Sequence, residues 1–391
     1  MMGVSPSRTA LVHHWLVTMR GGERVLEALA QLFPSADIIT LVCDHARMQS
    51  AFGGQRILTS FLQHLPRATR WYPRYLPLFP MATEGLDLRG YPLVITSDAA
   101  TMKGVRTDPG AIHICYCHTP MRYVWSGYDT YYRASGPLTR MLMPRVGEWL
   151  RHWDYRAAQK VTHFVANSQT VAERIRRYYH RESSVIYPPV DTDYFQPADH
   201  PSEREGHFLV VSQLVPYKRI DLAVETFNRN CRPLVVIGEG PERSKLERRA
   251  RPNIRFLGAQ SRAALRNAMQ RARALVFPGE EDFGIVMAEA QACGTPVIAF
   301  RRGGASEIVT DGATGILIVQ QTAASLEEGL KRFDAEKFDP AAIRESALRF
   351  SRERFMREFT GFLQRVASPA RAIHTQSVES RQEVLAADST L

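Results

Sequence analysis

The sequence is poor in the features that mark disulfide-framed, membrane-spanning or metal-centred proteins. It holds five cysteines, Cys43, Cys115, Cys117, Cys231 and Cys293. An odd, scattered set in or beside apolar runs builds no disulfide framework and predicts buried free thiols in a reducing compartment. Cys115-Tyr-Cys117-His118 has the outline of half a metal site, yet no second Cys/His cluster completes it, which favours a core strand. No apolar run reaches the ~18 residues that a membrane crossing needs, and the N-terminus lacks the charged-then-apolar order of a signal peptide. The expectation is a cytosolic protein, at most peripheral on a membrane surface.

What is there is ordinary in amount. A chain of 391 residues exceeds one typical core and predicts two domains. Apolar residues at 45% and charged residues at 23% are those of a globular protein. Lys plus Arg number 50 against 40 Asp plus Glu, a net charge of +10. This balance favours an acidic partner: a nucleotide phosphate, an anionic lipid surface or nucleic acid.

The most informative stretch is Phe277-Pro-Gly-Glu-Glu-Asp-Phe-Gly-Ile-Val-Met-Ala-Glu-Ala-Gln-Ala-Cys-Gly-Thr-Pro-Val-Ile-Ala-Phe300. Ala274 to Phe277 is a short apolar run stopped by Pro278-Gly279, Phe283 to Cys293 has helical spacing, and Gly294-Thr-Pro296 ends that helix before another apolar run. Glu281 in the loop and Glu289 in the helix would stand roughly 12 Å apart along the axis if both were helical. A retaining glycosidase holds its carboxyls about 5 Å apart and an inverting one under about 10 Å, so this pair suits the two ends of an elongated ligand instead. Between them, the amides of Phe283, Gly284 and Ile285 fall at a helix N-terminus, where free N–H groups and the macrodipole attract phosphate.

Glu281 and Glu289, with seven residues between them in E-D-F-G-I-V-M-A-E-A-Q-A-C-G-T-P-V-I-A, resemble the E-x7-E signature of the GT-B retaining glycosyltransferases of family four. The resemblance implies that Glu281 lies by a donor sugar and Glu289 hydrogen-bonds a nucleotide ribose. Read without it, Glu289 also fits a residue that solvates a helix face.

Thr9 to Trp15 reads as a first strand, followed by Met19-Arg-Gly-Gly-Glu23 and a helix from Arg24 to Phe33. Gly21 and Gly22, between strand and helix, permit close backbone approach to a ligand at the carboxyl edge of a parallel sheet, or form an ordinary βα loop. The segment is similar to R-G-G-(A)-E-R-V of the same family, which implies phosphate or acceptor contact. Ala36–Cys43, Tyr91–Ser97 and Ala111–Cys117 are further strands in the rhythm of a doubly wound sheet. Arg67, Arg70 and Arg74, interleaved with Trp71, Tyr72 and Tyr75, fit either a lipid headgroup surface or rings packed on their own domain. No nucleic-acid module frames them, and no nucleic-acid partner is expected.

His118 closes a strand at the usual ligand edge, where a neutral imidazole can hydrogen-bond a sugar hydroxyl or take its proton, although a His there is also often structural. His118-Thr-Pro-Met-Arg-Tyr-Val-Trp125 resembles a segment of the bacterial polysaccharide branch of the family, which implies approach to the donor sugar. Asp129 to Arg156 looks helical, basic and aromatic, and is expected to flank the acceptor. Val161–Asn167, the helix Ser168–Tyr179 and Ser184–Tyr187 follow, then Pro188-Pro189 and a linker. Asp191-Thr-Asp193 could mimic a metal-binding pair, but after two prolines it reads as a turn or cap. No catalytic metal is expected.

The same rhythm restarts at His207 and runs to Phe277. Gly238-Glu-Gly240 follows a strand, but Arg243 occupies the third glycine position of a dinucleotide fingerprint, so it supports a nicotinamide-dependent oxidoreductase weakly. Lys218 and Arg219 follow the first strand of this half, where cations neutralise a diphosphate leaving group. The family's S-R-L-x-P-x-K reads here Ser212-Gln-Leu-Val-Pro-Tyr-Lys218, with neutral Gln213 in place of the first cation. That departure supports a second reading, a catalytically impaired protein that still binds a sugar nucleotide. Gly303 and Gly304 open a helix ahead of Glu307, similar to the family's G-G-x-x-E donor segment.

The expectation is therefore an α/β protein of GT-B architecture. It has an N-terminal Rossmann-like acceptor domain (1–190), a C-terminal nucleotide-sugar domain (196–350), a helix (351–366) crossing back, and a loose tail (367–391). The resemblance implies a retaining sugar transfer from a nucleotide-activated donor, with Glu281, His118 and Lys218 at the chemistry. Donor binding is expected from Gly21, Gly22, Lys218, Arg219, Phe283, Gly284, Ile285, Glu289, Gly303 and Gly304. His118 to Trp125, Y-K-R-I-D-L-A-V and E-E-D-F-G are most similar to O-antigen and exopolysaccharide mannosyltransferases. This implies GDP-mannose as donor substrate, no further cofactor, and a polyprenyl-diphosphate-linked saccharide as acceptor at the inner face of a bacterial membrane.

Overall fold

The computed structural model describes residues 8–198 and 206–366. The expected loose tail lies outside the described residues. The first sheet holds seven strands: β1 (Thr9–His13), β2 (Asp37–Thr40), β3 (Ile57–Thr59), β4 (Leu93–Asp98), β5 (Ile112–Cys117), β6 (His163–Ala166) and β7 (Ser183–Val185), in the order β3-β2-β1-β4-β5-β6-β7. The second holds six: β8 (Phe208–Val211), β9 (Leu234–Ile237), β10 (Ile254–Gly258), β11 (Leu275–Phe277), β12 (Val297–Phe300) and β13 (Gly315–Ile318), in the order β10-β9-β8-β11-β12-β13. All pairings between these strands are parallel. Parallel sheets covered by helices on both faces need strands apolar on both sides, and β1 and β12 are buried along their whole length.

Both sheets reverse strand order once, between β1 and β4 and between β8 and β11. At such a switch point the flanking helices run to opposite faces and leave a crevice at the carboxyl ends of the strands. Val190 and Ser351, one on each chain crossing between the halves, pair in an isolated bridge, with the Val190 amide donating to the Phe350 carbonyl at 2.9 Å. The helix of residues 352–366 then buries Phe355, Phe359 and Phe362 in the core of the first half.

Several local expectations change. The first helix is Gly21–Leu32, so the glycine pair forms its opening turn and is no preceding loop. Gly238 and Gly240 press on the neighbouring 212–214 segment: an added Cβ would stand 1.8 Å from the Ser212 carbonyl and 2.3 Å from that of Leu214. That close approach accounts for both glycines without a dinucleotide. Tyr72, Tyr75 and Leu76 pack on the first core, while Arg67 and Arg74 flank the half-buried Trp71 ring. Cys231 is exposed, unlike the other four thiols. It follows the Ile220–Asn230 helix in a left-handed conformation that turns it outward.

Candidate active site

The first switch point is lined by hydrogen-bonding side chains. His13 ends β1, Ser97 stands opposite it on β4, and His118 follows β5. Ser97 Oγ lies 3.1 Å from His13 Nδ1 and 2.8 Å from His118 Nε2. Glu23, in the first turn of the Gly21–Leu32 helix, accepts the Arg20 amide at 3.0 Å and turns its other oxygen to within 3.9 Å of His13 Nε2. Burial pushes the Glu23 carboxyl up, but the nearby His13 ring and the amides of residues 20 and 23 outweigh it and hold Glu23 below the usual range. Burial, reinforced by His13, pushes His118 down to about 4, so its imidazole is neutral near pH 7. Gly22 lies against this group, since an added Cβ would stand 3.2 Å from His13 Cε1 and 3.6 Å from His118 Nε2.

Below these residues sits a buried ionic triad that the sequence did not announce. Lys103, fully buried, reaches Asp98 at 2.9 Å and Asp154 at 2.6 Å. Burial disfavours its charge, and the two carboxylates outweigh burial and raise it well above the usual lysine range. The second oxygen of Asp98 accepts the amides of Ala100 and Met102, and Asp154 accepts Trp125 Nε1 and the Tyr179 hydroxyl. The Asp98 carbonyl receives the His118 amide at 2.8 Å. The triad thereby fixes both ends of the His118–Trp125 turn.

The second switch point carries charge. Lys218 ends a short turn after β8 and pairs with Glu281, in the loop after β11. Burial, helped by Arg122, pushes Lys218 down to about 7, with Asp282 opposing the shift. Gly303 and Gly304 pack so closely on this loop that an added Cβ at either would stand 2.0 Å from a carbonyl, that of Glu281 or Phe283. The Gly304 amide is committed to the Glu281 carbonyl at 2.9 Å, which leaves Gly303 as the donor-binding candidate of the two. Gly284 caps the Ile285–Ala292 helix at φ +91, a left-handed turn that suits glycine. Phe283 buries its ring between Tyr187 and Phe350.

Glu289 lines a small cavity with Arg24, Glu27, Asp191, Arg262 and Arg352. Burial pushes its carboxyl up to about 7, against the pull of Arg262 and Arg24. Arg219 turns away from Lys218: its guanidinium is taken by Asp221 at 3.1 and 3.2 Å and by Gln321 at 3.3 Å. Gln213 is exposed. Asp191 caps a turn at the Tyr194 amide and pairs with Arg262.

The two switch points face one another. An added Cβ on Gly21 would come within 2.8 Å of Ile285 Cδ1. Arg122 and Arg174, both from the first half, grip Asp282, and Arg174 also reaches Glu280 at 2.9 Å. Glu307 accepts the amides of Gln169 and Thr170 at 2.8 and 3.1 Å, so a carboxylate of the second half caps a helix of the first. Gly21, Gly22, His118, Lys218, Glu281, Gly284, Ile285 and Gly303 thus meet at one cleft. The interdomain contacts of Arg122, Arg174, Asp282 and Glu307 had no local signal, apart from the place of Asp282 inside the signature.

Residues 19–194 match the model of Glycosyltransferase Family 4, and residues 193–350 match that of Glycosyl transferases group 1. The chain carries both glycosyltransferase domains. It is similar to the D-inositol 3-phosphate glycosyltransferase of Mycobacterium leprae (strain Br4923), 33% identical over 34% of this chain and 36% of the relative. The likeness to the same enzyme of Mycolicibacterium smegmatis is 28% over 54% of this chain and 52% of the relative. The alignments span between about a third and a half of these curated relatives.

Sucrose-phosphate synthase of Thermosynechococcus elongatus superposes with a TM-score of 0.68 at 19% identity, covering 93% of this chain and 100% of that one. Anabaena HepE in complex with UDP-glucose superposes at 0.64 and 15% identity, covering 91% and 99%. The lipopolysaccharide outer core galactosyltransferase WaaB does so at 0.61 and 16%, covering 90% and 98%. The fold is GT-B, and its cleft is the one bounded by the two switch points.

Proposed function

We propose that this GT-B protein is a retaining glycosyltransferase that moves a sugar, mannose from GDP-mannose, onto a lipid-linked saccharide in cell-surface polysaccharide synthesis. The observation that carries the reading is the meeting of Lys218, Glu281 and His118 at one interdomain cleft. Asp282, beside Glu281, is close enough to act on the His118 charge. Glu281 orients the donor sugar and Glu289 the ribose. Lys218 exchanges its pairing with Glu281 for the donor diphosphate, which restores the charge that burial weakens. The acceptor hydroxyl attacks the anomeric carbon from the face the diphosphate leaves, and the departing phosphate oxygen takes its proton. Arg219 assists once it exchanges Asp221 for phosphate. The amides of Gly21, Gly22 and Ile285, at helix starts, and that of Gly303 approach the phosphates or the sugar.

A membrane-bound acceptor accords with the surface of the first half. The Pro137–Gln159 helix leaves Met141 66% and Trp149 48% exposed, with Leu142 and Val146 also bare and Arg140 and Arg145 beside them. Apolar side chains between cations suit an anionic bilayer surface. We assign peripheral membrane contact to this helix ahead of the Arg67–Tyr75 segment, whose rings are partly used by the fold. Among the described residues no helix is long and apolar enough to cross a membrane.

The test is nucleotide release from GDP- and UDP-sugars by purified protein with membrane lipid extract, beside Glu281→Ala. Release that needs one donor and the extract, and that falls by a factor of about 100 or more in the variant, supports the transferase. Nucleotide binding with no turnover of any donor favours the impaired binding protein, and Gln213→Arg then restores turnover if the missing cation is the cause.

A further inference from the structure

We propose that Arg122, carried by the first half, is a second cation for the donor diphosphate and closes with Lys218 of the second half on the phosphate next to the sugar. The proposal rests on the reading of the cleft as a nucleotide-sugar site and adds a residue of the first half to it. Arg122 leaves the turn that follows His118. The Gly127 amide donates to its carbonyl at 2.8 Å, and Gly127 packs on its stem, where an added Cβ would stand 2.9 Å from Cγ. The guanidinium pairs with Asp282 and lies over the Tyr217 ring, 5.0 Å from its centroid, with Lys218 Nζ 5.2 Å from the same centroid. One ring of the second half thus carries a cation from each half.

Like charges so close repel, and after burial the Arg122 charge is the strongest influence that pushes Lys218 down. Each cation is held by one of two consecutive carboxylates, Lys218 by Glu281 and Arg122 by Asp282. An anion that touches both relieves the repulsion, which favours a phosphate between them. Asp282 also pairs with Arg174, so it keeps a counter-charge when Arg122 turns to the ligand. Arg219 is tied to Asp221 and Gln321, and Gln213 is neutral, which leaves Arg122 best placed to join Lys218. Its planar fork can hold two phosphate oxygens at once. His118, in the same turn, and Glu281, beside Asp282, are the residues read as sugar contacts. Their neighbours therefore meet the phosphate that bears the sugar, the one that gains charge as that bond breaks.

Calorimetric titration with GDP and GMP, and with UDP and UMP, tests this through the ratio of diphosphate to monophosphate affinity, which general damage to the cleft leaves unchanged. Arg122→Met should lower the ratio about tenfold or more, and Arg122→Lys, which keeps the charge without the fork, should lower it less. Asp282→Asn removes the carboxylate that competes for Arg122 and should raise the ratio several-fold, whereas a purely structural ion pair gives no rise. This second variant decides if Arg122→Met does not fold. A fall under about threefold in Arg122→Met, or no rise in Asp282→Asn, overturns the proposal. A wild type that binds neither diphosphate removes the nucleotide-sugar reading and this proposal with it, and wild-type binding with unchanged ratios in the variants removes the proposal alone.

Discussion

At the first switch point Ser97 joins His13 and His118 by short contacts beside Glu23, over a buried ionic triad, and His118 stays neutral. At the second, Lys218 pairs with Glu281, and Asp282 pairs across the cleft with Arg122 and Arg174. The same strand order thus supports a preorganised side and a side whose charges neutralise one another until an anion replaces a partner. A rigid, hydrogen-bonding wall suits a sugar, whose hydroxyls need fixed donors and acceptors. Exchangeable charge suits a diphosphate that arrives and leaves.

The comparison breaks most visibly at the triad. Lys103→Met strands Asp98 and Asp154 in the core and should cost about 3–5 kcal/mol in urea unfolding. A loss under about 1 kcal/mol would mean that the first wall does not depend on it. Lys218→Met should weaken nucleoside diphosphate binding by roughly 10 to 100-fold, as expected for one charge-assisted contact. The pH dependence has a definite sign. Free Lys218 sits at about 7, and a bound anion raises it. Affinity is therefore constant below about pH 7 and falls as pH rises through the window between the free and bound values, with proton uptake visible by calorimetry in two buffers. A flat profile from pH 6 to 9 would separate Lys218 from the diphosphate.

Smaller effects sharpen the picture. Glu289 is raised in the fold to about 7, so the native state favours its neutral form, and stability falls as pH rises from the unfolded carboxyl range through 7. Glu289→Gln should escape that fall and melt a few degrees above the wild type at pH 8.5 but not at pH 5. Weakest of all, Trp149→Ser should lower co-sedimentation with anionic vesicles several-fold and leave nucleotide binding unchanged. Equal sedimentation of both proteins would remove this helix from the membrane contact.

The halves also differed in how well the sequence disclosed them. Glu281 and Glu289 were legible because one loop and one helix fix their spacing, and strand rhythm located both sheets because buried parallel strands are continuous apolar runs. Ser97 and Lys103 were not, since a serine at a strand end and a lysine in a polar stretch acquire meaning only when β1, β5 and the Pro137–Gln159 helix close over them. Arg174 meets Asp282 across 108 residues of sequence, a separation no local pattern encodes. Arg219 adds a partner that adjacency to Lys218 does not disclose: at a left-handed φ of +54, its guanidinium is paired with Asp221.

Hydrogen exchange with and without GDP and UDP tests most directly whether the two switch points form one nucleotide-sugar site. The account predicts that one nucleotide protects amides in residues 18–24 and in residues 279–289 together. Protection confined to the 238–258 edge of the second sheet, or absent with both nucleotides at saturating concentration, would contradict it.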